Sequence, residues 1–278
     1  PTYLDESIFY LGQAYNYIFQ TIKLSFLFNG NHESDNSEFD KYLKLHGYKF
    51  KNIINNEIGG YSYFKNKNVS LIIDVGSSPE KKFSQNYQSG PLSFEMFYSG
   101  NKIITNSGFF QNYKHQLNSI SKSTAAHSTL ILDNSSVNKF EKQSNGSVLI
   151  EENFKIFEKK IILEKNNWKV SASHDGYQKK YGTIHKREIE YSVDSNTLIG
   201  KDTLLKKKNF KSCNFEIRFH LHPDAKITKT QDKNVVLIEL KNSGWKFSCK
   251  DHSIDIETGL FFGKKDTFTE NQNIFISG

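Results

Sequence analysis

The feature that most constrains the fold is a succession of short segments, after about residue 45, in which apolar and polar residues alternate. Along 215–221 the odd positions are apolar, whereas the even positions carry Glu216, Arg218 and His220, with His222 next in phase. Such alternation predicts a strand with one face on a core and the other in water. Further strands are predicted at 69–75, 92–98, 102–105, 129–132, 147–151, 154–164, 167–173, 185–193, 197–204, 235–240, 245–250 and 253–262.

Many strands at short spacing, joined by polar turns, predict a mainly β chain built as a large antiparallel sandwich. Segments 92–98 and 102–105 are separated by Ser99-Gly100, which predicts a hairpin. The sequence has no repeat of 20 to 50 residues, so a propeller or a solenoid is excluded.

One helix is predicted before the sandwich, at residues 7–25. Apolar residues recur there at steps of three and four from Ile8 to Ile22, and Ser7 is suited to be the N-cap. The polar stretch after Asn29-Gly30-Asn31 has no periodicity and indicates a linker. We therefore expect residues 1–40 to be a helical tail with a linker, and residues 41–278 to be the sandwich domain.

The charge of the chain indicates what it does not bind. The net charge is +7, but only Arg187 and Arg218 are arginines, the lysines are scattered, and no nucleic-acid-binding motif is present. A diffuse positive surface suits an anionic polymer, or simply keeps the chain soluble. No apolar stretch is long enough to cross a bilayer. The N-terminus has neither Met nor a signal sequence, so we expect a fragment or a processed chain.

Cys213 and Cys249 are the only cysteines, and both lie in or beside strand-like runs. They either pair across neighbouring strands or are buried thiols. Their separation fits no zinc or redox motif, and it leaves the cellular compartment open.

Several segments resemble the heparinase II/III-like family. They are GPLSFEM at 90–96 followed by KIITNSG at 102–108, STAAHSTL at 123–130, SHDGY at 173–177 with HKR at 185–187, and FHLHP at 219–223. The resemblance extends from about residue 24 to residue 278. In this family a helical α/α toroid precedes the C-terminal sandwich, and residues 24–30 resemble the last segment of that toroid.

The resemblance implies an enzyme that cleaves an acidic, uronic-acid-containing polysaccharide, such as a glycosaminoglycan or alginate, by β-elimination. The uronate carboxylate is neutralised, a base takes the C5 proton, and an acid protonates the leaving oxygen. In the family the toroid supplies much of this machinery, so this chain alone is expected to be inactive. A bacterial periplasm or cell envelope is the location that the resemblance implies. The alternative is a non-catalytic carbohydrate-binding or structural sandwich.

The sequence departs from the family at its metal site. The family's His-x-His pair falls on Asn86 and Gln88, its Asp on Asn106, and its last His on His127. Zinc prefers nitrogen, thiolate or carboxylate donors. We therefore expect the zinc of relatives to be absent or weakly held here, and the four side chains to form a hydrogen-bonded polar cluster. Asn86, which cannot transfer a proton but can orient a carboxylate, and His127 are the candidate catalytic residues; a structural role for His127 stays open.

His174, Tyr177, His185 and Arg187 form a second candidate group, which we predict to bind substrate. His174 and Tyr177 flank the turn signal Asp175-Gly176 and are expected to project from one loop edge. Tyr177 is suited to be a base only if a nearby cation lowers its pKa, so packing over the turn is the favoured interpretation.

Arg187 and Arg218 stand out because a guanidinium can hold a carboxylate through two parallel hydrogen bonds. The carboxylate is either a uronate or a glutamate on a neighbouring strand, and we favour the structural ion pair. For His220 and His222 a surface role is favoured over metal binding, because no third ligand has a suitable spacing.

Overall fold

The computed structural model describes residues 26–33, 41–42, 45–47, 57–144 and 146–278. The helix predicted at 7–25 and the boundary predicted near residue 40 lie outside the described residues. No helix in the described ranges is long and apolar enough to span a membrane.

Strands dominate the described chain. They are β1 (Glu57–Ile58), β2 (Tyr61–Lys65), β3 (Val69–Asp74), β4 (Phe94–Tyr98), β5 (Asn101–Thr105), β6 (Leu130–Leu132), β7 (Phe140–Lys142), β8 (Val148–Ile150), β9 (Ile156–Leu163), β10 (Asn167–His174), β11 (Thr183–Ser192), β12 (Thr197–Lys206), β13 (Phe215–Leu221), β14 (Lys226–Lys229), β15 (Val235–Leu240), β16 (Ser243–Ser248), β17 (Ile254–Phe261) and β18 (Thr269–Ser277). Helices whose bounds lie within the described residues are α1 (Gln116–Lys122), α2 (Gln178–Tyr181) and 3-10 turns at Lys81–Phe83 and Thr124–Ala126.

The strands form four antiparallel sheets. The largest has nine strands in the order β1-β2-β3-β4-β5-β13-β18-β17, with β6 also paired to β13. The others have the orders β12-β11-β10-β9, β14-β15-β16 and β7-β8. This arrangement confirms the predicted antiparallel β architecture, including the β4–β5 hairpin.

One hydrophobic core joins three of the sheets. It contains Leu71 and Ile103 from the nine-stranded sheet, Trp168 and Val170 from the four-stranded sheet, and Ile238 from the three-stranded sheet, each at most 3% exposed. Because successive side chains of a strand point to opposite faces, one face of each of these three sheets contributes to this core, and the three sheets are held together by burial of apolar surface.

The prediction of a fully wet face on β13 is wrong at His220. That side chain is 3% exposed; its Nδ1 lies 3.2 Å from the Ser107 hydroxyl and its Nε2 lies 2.9 Å from the Ala125 carbonyl. Burial lowers the pKa of His220 to about 3, so it is neutral at pH 7. Cys213 and Cys249 are free thiols, each partly exposed, and do not pair.

Candidate functional site

A cleft of about 290 Å³ contains Asn86, one of the two candidate catalytic residues. Three segments form it: the β2–β3 pair, the loop 76–90, and the turn at Asn29-Gly30. Its lining residues are Asn29, Gly59, Tyr61, Asp74, Gly76, Ser77, Pro79, Phe83, Asn86 and Tyr87. A second cleft, of about 360 Å³, lies beside Asp133 and the last residues of the chain and contains no residue of either candidate group.

The pairing of β2 with β3 builds one wall of the Asn86 cleft. Tyr61 lies directly opposite Asp74 in the antiparallel register, so both side chains are on the same face. Glycines are needed just beyond this pair, because a Cβ added to Gly60 would lie 2.9 Å from the Gly76 Cα, and Gly60 has φ of +86°. The close approach of the two backbones leaves the Asp74 side chain at the cleft wall.

The rim carries an exposed aromatic ring. Phe83 ends the 3-10 turn Lys81–Phe83 and is 70% exposed. An exposed aromatic face beside polar groups is suited to pack on the apolar face of a sugar ring. Asn86 follows three residues later and is also exposed, so its amide is free to face a ligand.

The cleft wall contains a carboxyl group whose pKa lies near physiological pH. Asp74 is 6% exposed, and burial raises its pKa to about 7, while the Gly76 N–H, which donates to Asp74 Oδ1 at 2.9 Å, opposes that rise. Burial, and then the Asp74 charge, also raise the pKa values of Tyr61 and Tyr87 well above the usual range. Both tyrosines therefore remain protonated hydrogen-bond donors at pH 7.

Residues 26–33 pack along the sandwich and complete the cleft. The Leu27 N–H donates to Glu95 Oε1 at 3.1 Å, and the Phe26 ring meets Phe97 edge-on with centroids 5.3 Å apart. Asn29 Nδ2 donates to the Tyr61 hydroxyl, and Asn29 Oδ1 accepts from the Gln88 N–H at 3.1 Å. This segment is thus fixed to the wall that carries Tyr61.

Three side chains at the positions of the family's metal site are buried and engaged elsewhere. Gln88 Oε1 accepts from the Gly30 N–H at 3.1 Å, and its Nε2 donates to the carbonyls of Gly108 and Ser121 at 2.8 and 2.7 Å. Asn106 Oδ1 accepts from the Ser128 N–H at 3.0 Å. The hydrogen bonds of these side chains therefore link separate segments of backbone.

The predicted polar cluster is not formed. Asn86 lies exposed in the cleft, whereas Gln88, Asn106 and His127 are each at most 1% exposed, and among the described residues no hydrogen bond joins any two of the four. The donor set does not fit zinc either, because both amide oxygens already accept backbone N–H groups. The amides of Gln88 and Asn106 instead cross-link separate backbone segments by hydrogen bonds.

His127 is placed as a structural residue. Its Nδ1 lies 2.8 Å from the Ser123 carbonyl, and a Cβ added to Gly90 would lie 2.4 Å from its Cδ2, so the ring packs directly on glycine backbone. Burial lowers the pKa of His127 to about 4, which keeps it neutral at pH 7. Of the two interpretations of this residue, the surroundings favour the structural one.

The second candidate group is brought together, but inside the sandwich. His174, Tyr177, His185 and Arg187 are between 0 and 2% exposed. His174 Nε2 lies 3.0 Å from His185 Nδ1, and His185 Nε2 lies 2.6 Å from Asp202 Oδ1. A polymer cannot reach these groups in this structure, because the core packing that excludes water also excludes a sugar chain.

Tyr177 and the two arginines take the structural roles that the sequence favoured. The Tyr177 hydroxyl donates to the Leu130 carbonyl at 3.1 Å. Arg187 donates to both oxygens of Asp202, at 2.8 and 3.0 Å, and its Nη1 donates to the carbonyls of Leu92 and Ser128.

Arg218 pairs with Glu216 and Glu257. The structural ion pairs are therefore present, although the partner of Arg187 is an aspartate rather than the expected glutamate. His222 is partly exposed and lies 3.2 Å from Glu33 Oε1.

The fold agrees with the sequence comparison. The sequence profile of the family described as Heparinase II/III-like, C-terminal, matches residues 54–278. The chain belongs to this family. The match covers both the hairpin of the family's motif and the buried strands around it.

Several proteins resemble this heparinase II/III-like chain. FtsZ-localized protein C of Caulobacter vibrioides (strain NA1000 / CB15N) is 26% identical over 210 residues, which are 71% of this chain and 36% of that protein. The heparan sulfate lyase HepC of Pedobacter heparinus superposes with a TM-score of 0.75 at 15% identity, covering 100% of this chain and 45% of the enzyme. The heparinase III BT4657 gene product superposes with a TM-score of 0.74 at 15% identity, covering 100% of this chain and 44% of that protein.

The likeness to the two solved structures shows a shared fold. The heparinase II/III-like chain spans about a third of the length of the curated relative and less than half of each solved chain.

Sequence reasoning missed Asp74, Phe83 and Tyr87, which are among the residues that line the cleft. Asp74 is the last residue of the buried strand β3, and only Val75 separates it from Gly76. An acid at the end of a fully buried strand is a signal for a perturbed carboxyl group. Phe83 is the one aromatic residue in an otherwise polar stretch, 76–86. The sequence does not show that the loop 76–90 folds back beside β3, which is what brings these residues together with Asn86.

Proposed function

We propose that this chain forms the sandwich wall of the substrate cleft in a lyase that cleaves a uronic-acid-containing polysaccharide by β-elimination. The observation that carries the proposal is the cleft around Asn86. It holds the residue at the family's His position, an exposed aromatic ring and a titratable carboxyl, and it is bordered by residues 26–33, part of which resembles the last segment of the toroid. The family membership supports the same conclusion.

The roles of the cleft residues follow from their chemistry. The Asn86 amide donates hydrogen bonds to the uronate carboxylate and orients it, without taking a proton. The Phe83 ring packs against one sugar ring at the rim and holds the polymer in register. The base that takes the C5 proton belongs to the preceding toroid, and zinc has no part in the sandwich half of the site.

The whole enzyme in this proposal is a helical toroid followed by the present chain, and it works on an acidic polymer in the periplasm or cell envelope. The positive net charge of +7 supports attraction of such a polymer, because Coulomb steering raises the local concentration of an anionic chain. The chain by itself is expected to fold but to have little or no lyase activity.

A non-catalytic carbohydrate-binding sandwich is the second candidate function. The replacement of both family histidines by Asn86 and Gln88, together with the burial of His127, favours it, since none of these side chains can transfer a proton to a ligand at pH 7. In this case the Asn86 cleft still binds sugar, but no bond is broken.

The test uses a protein in which this chain follows its helical toroid. It is incubated with heparan sulfate, alginate, hyaluronan and other uronic polymers while the ultraviolet absorbance of unsaturated uronate is followed. Absorbance is expected to rise with one polymer, and Asn86→Ala is expected to lower kcat/KM roughly tenfold or more by removing a hydrogen bond to a charged group. Asn242→Ala, on an exposed hairpin turn, is the matched control.

Three outcomes separate the candidates. A rise that Asn86→Ala reduces and Asn242→Ala does not supports the lyase. Saturable binding of a polymer without absorbance change supports the binding sandwich. Neither binding nor turnover across the panel contradicts both.

A further inference from the structure

The Asn86 cleft lacks a proton-transferring group at the position where the family resemblance implies one. An amide neither holds nor releases a proton near neutral pH, so Asn86 can orient a ligand but cannot act as an acid. Asp74 is the one carboxyl group among the described residues that line the cleft. If the cleft delivers a proton, this is the side chain placed to hold it.

The geometry of Asp74 is that of a fixed and enclosed acid. It ends β3, its backbone N–H donates to the Ser93 carbonyl at 2.9 Å, and its carbonyl accepts from the Leu92 N–H at 3.0 Å. The side chain is held in turn by the Gly76 N–H on Oδ1. The carboxyl group is therefore positioned by three backbone hydrogen bonds, and its second oxygen, Oδ2, is left for the cleft.

Within the part of the chain that the structure describes, one of the two neighbouring tyrosine hydroxyl groups is unpaired. Tyr87 is 7% exposed, and its hydroxyl is enclosed and has no hydrogen-bond partner among the described residues. An unpaired buried hydroxyl is costly unless a ligand or water satisfies it. The titratable groups that face Asp74 are Tyr61 from β2 and Tyr87 from the loop, and both remain neutral. No cation is among the described residues that line this wall, so only the Gly76 N–H favours the ionised form of Asp74.

Resting on the function proposed above, we infer that Asp74 is the general acid of the cleft, donating its proton to the glycosidic oxygen that leaves the uronate, while the Tyr87 hydroxyl binds the same sugar. The toroid's tyrosine or histidine takes the C5 proton, the electron pair of that C–H bond forms the C4–C5 double bond, and the C4–O bond breaks. The leaving oxygen takes its proton from Asp74 Oδ2. Asp74 is left as a carboxylate and recovers a proton from water.

The pH dependence follows from the state of this carboxyl group. Burial raises the pKa of Asp74 to about 7, so it carries the proton below that pH and loses it above. The kcat of the enzyme with its toroid is therefore expected to fall as the pH rises through about 7. Asp74→Asn removes the acid, so the fall of kcat above about pH 7 should disappear. The same substitution is expected to lower kcat on the natural polymer by about 100-fold or more.

A comparison of leaving groups separates an acid from a merely structural residue. The same toroid-containing protein, as wild type, Asp74→Asn and the exposed control Asp251→Asn, is given two uronides. In one uronide the leaving group is the hydroxyl oxygen of a second sugar. In the other it is an aryloxide, which needs no proton to depart. The loss caused by Asp74→Asn is expected to be about 100-fold for the sugar and less than about tenfold for the aryloxide.

The outcomes distinguish the two levels of the proposal. Equal losses on both uronides, an unchanged pH profile, or an Asp74→Asn variant as active as the Asp251→Asn control would overturn the acid role while the lyase stands. A wild-type protein that gives no unsaturated product from either uronide or from the polymer panel overturns the lyase and the acid role together. Carbon-13 NMR of the 278-residue chain tests the inference without measuring catalysis. The carboxyl signal of Asp74 is assigned as the one that disappears in Asp74→Asn. It is expected to titrate near pH 7, and titration near pH 4 would overturn the inference.

Discussion

Replacing Gln88 tests whether its side-chain amide stabilises the sandwich by cross-linking separate backbone segments. The side chain joins three segments through one accepted and two donated hydrogen bonds, from Gly30 and to Gly108 and Ser121, and it is 1% exposed. Gln88→Met preserves the length of the side chain and removes all three bonds. At about 1 kcal/mol for each bond, the free energy of unfolding should fall by about 3 kcal/mol.

Gln88→Glu sharpens the same test. One carboxylate oxygen can still accept from the Gly30 N–H, but the other would face the Gly108 and Ser121 carbonyls with no proton to donate. Protonation of the introduced carboxyl group restores one donor, so the loss of stability relative to wild type should be larger at pH 8 than at pH 5.

The assay is urea unfolding followed by fluorescence and circular dichroism. Gln178→Met is the matched control, because Gln178 is exposed at the start of α2, and its effect should stay within about 0.5 kcal/mol. A loss below about 1 kcal/mol for Gln88→Met, or a loss for Gln88→Glu that does not depend on pH, would refute the cross-linking role.

Three further outcomes are expected. Arg187→Met leaves the Asp202 carboxylate, whose side chain is 9% exposed, without its guanidinium. The free energy of unfolding in urea should fall by about 3–5 kcal/mol, whereas a loss under about 1 kcal/mol would mean that the pair is dispensable. Burial lowers the pKa values of His174 and His185, so only the unfolded chain gains these protons; stability should be full above about pH 6.5 and fall below it, and a urea midpoint that is flat from pH 7 to pH 5 would contradict this. Phe83→Ala should weaken binding of the polymer selected by the lyase or binding assay about fivefold by calorimetry, at roughly 1 kcal/mol for the lost ring contact, and unchanged affinity would remove Phe83 from the site.

The strands with strict alternation could be predicted from the sequence, and two elements show why others could not. β18 begins with the polar run Thr269 to Asn273, which gives no alternation signal. The Nδ2 of its buried Asn271 donates to the Leu221 carbonyl and to Asn273 Oδ1, so polar residues occupy core positions there. α1 is only seven residues long and has His115 as its N-cap, so neither periodicity nor a usual cap residue indicated a helix.

The candidate site divides in the same way. The choice of Asn86 followed from the family resemblance, because the His-x-His pair that precedes the Ser-Phe strand in relatives falls on Asn86 and Gln88. The burial of His127 and His174 could not be predicted, because whether a histidine beside a turn faces water depends on which sheet packs over it. Asp74 and Tyr87 entered the site only through the pairing of β3 with β2 and the course of loop 76–90.

The central claim is that the cleft beside Asn86 receives the sugar. The most direct measurement is an NMR titration of the isotope-labelled 278-residue chain with oligosaccharides from the panel of uronic polymers. The account predicts that one of them shifts the amide signals of Gly76, Phe83, Asn86 and Tyr87 together, and that Asn86→Ala weakens the effect. Shifts confined to other parts of the sandwich, or none with any oligosaccharide, would contradict it.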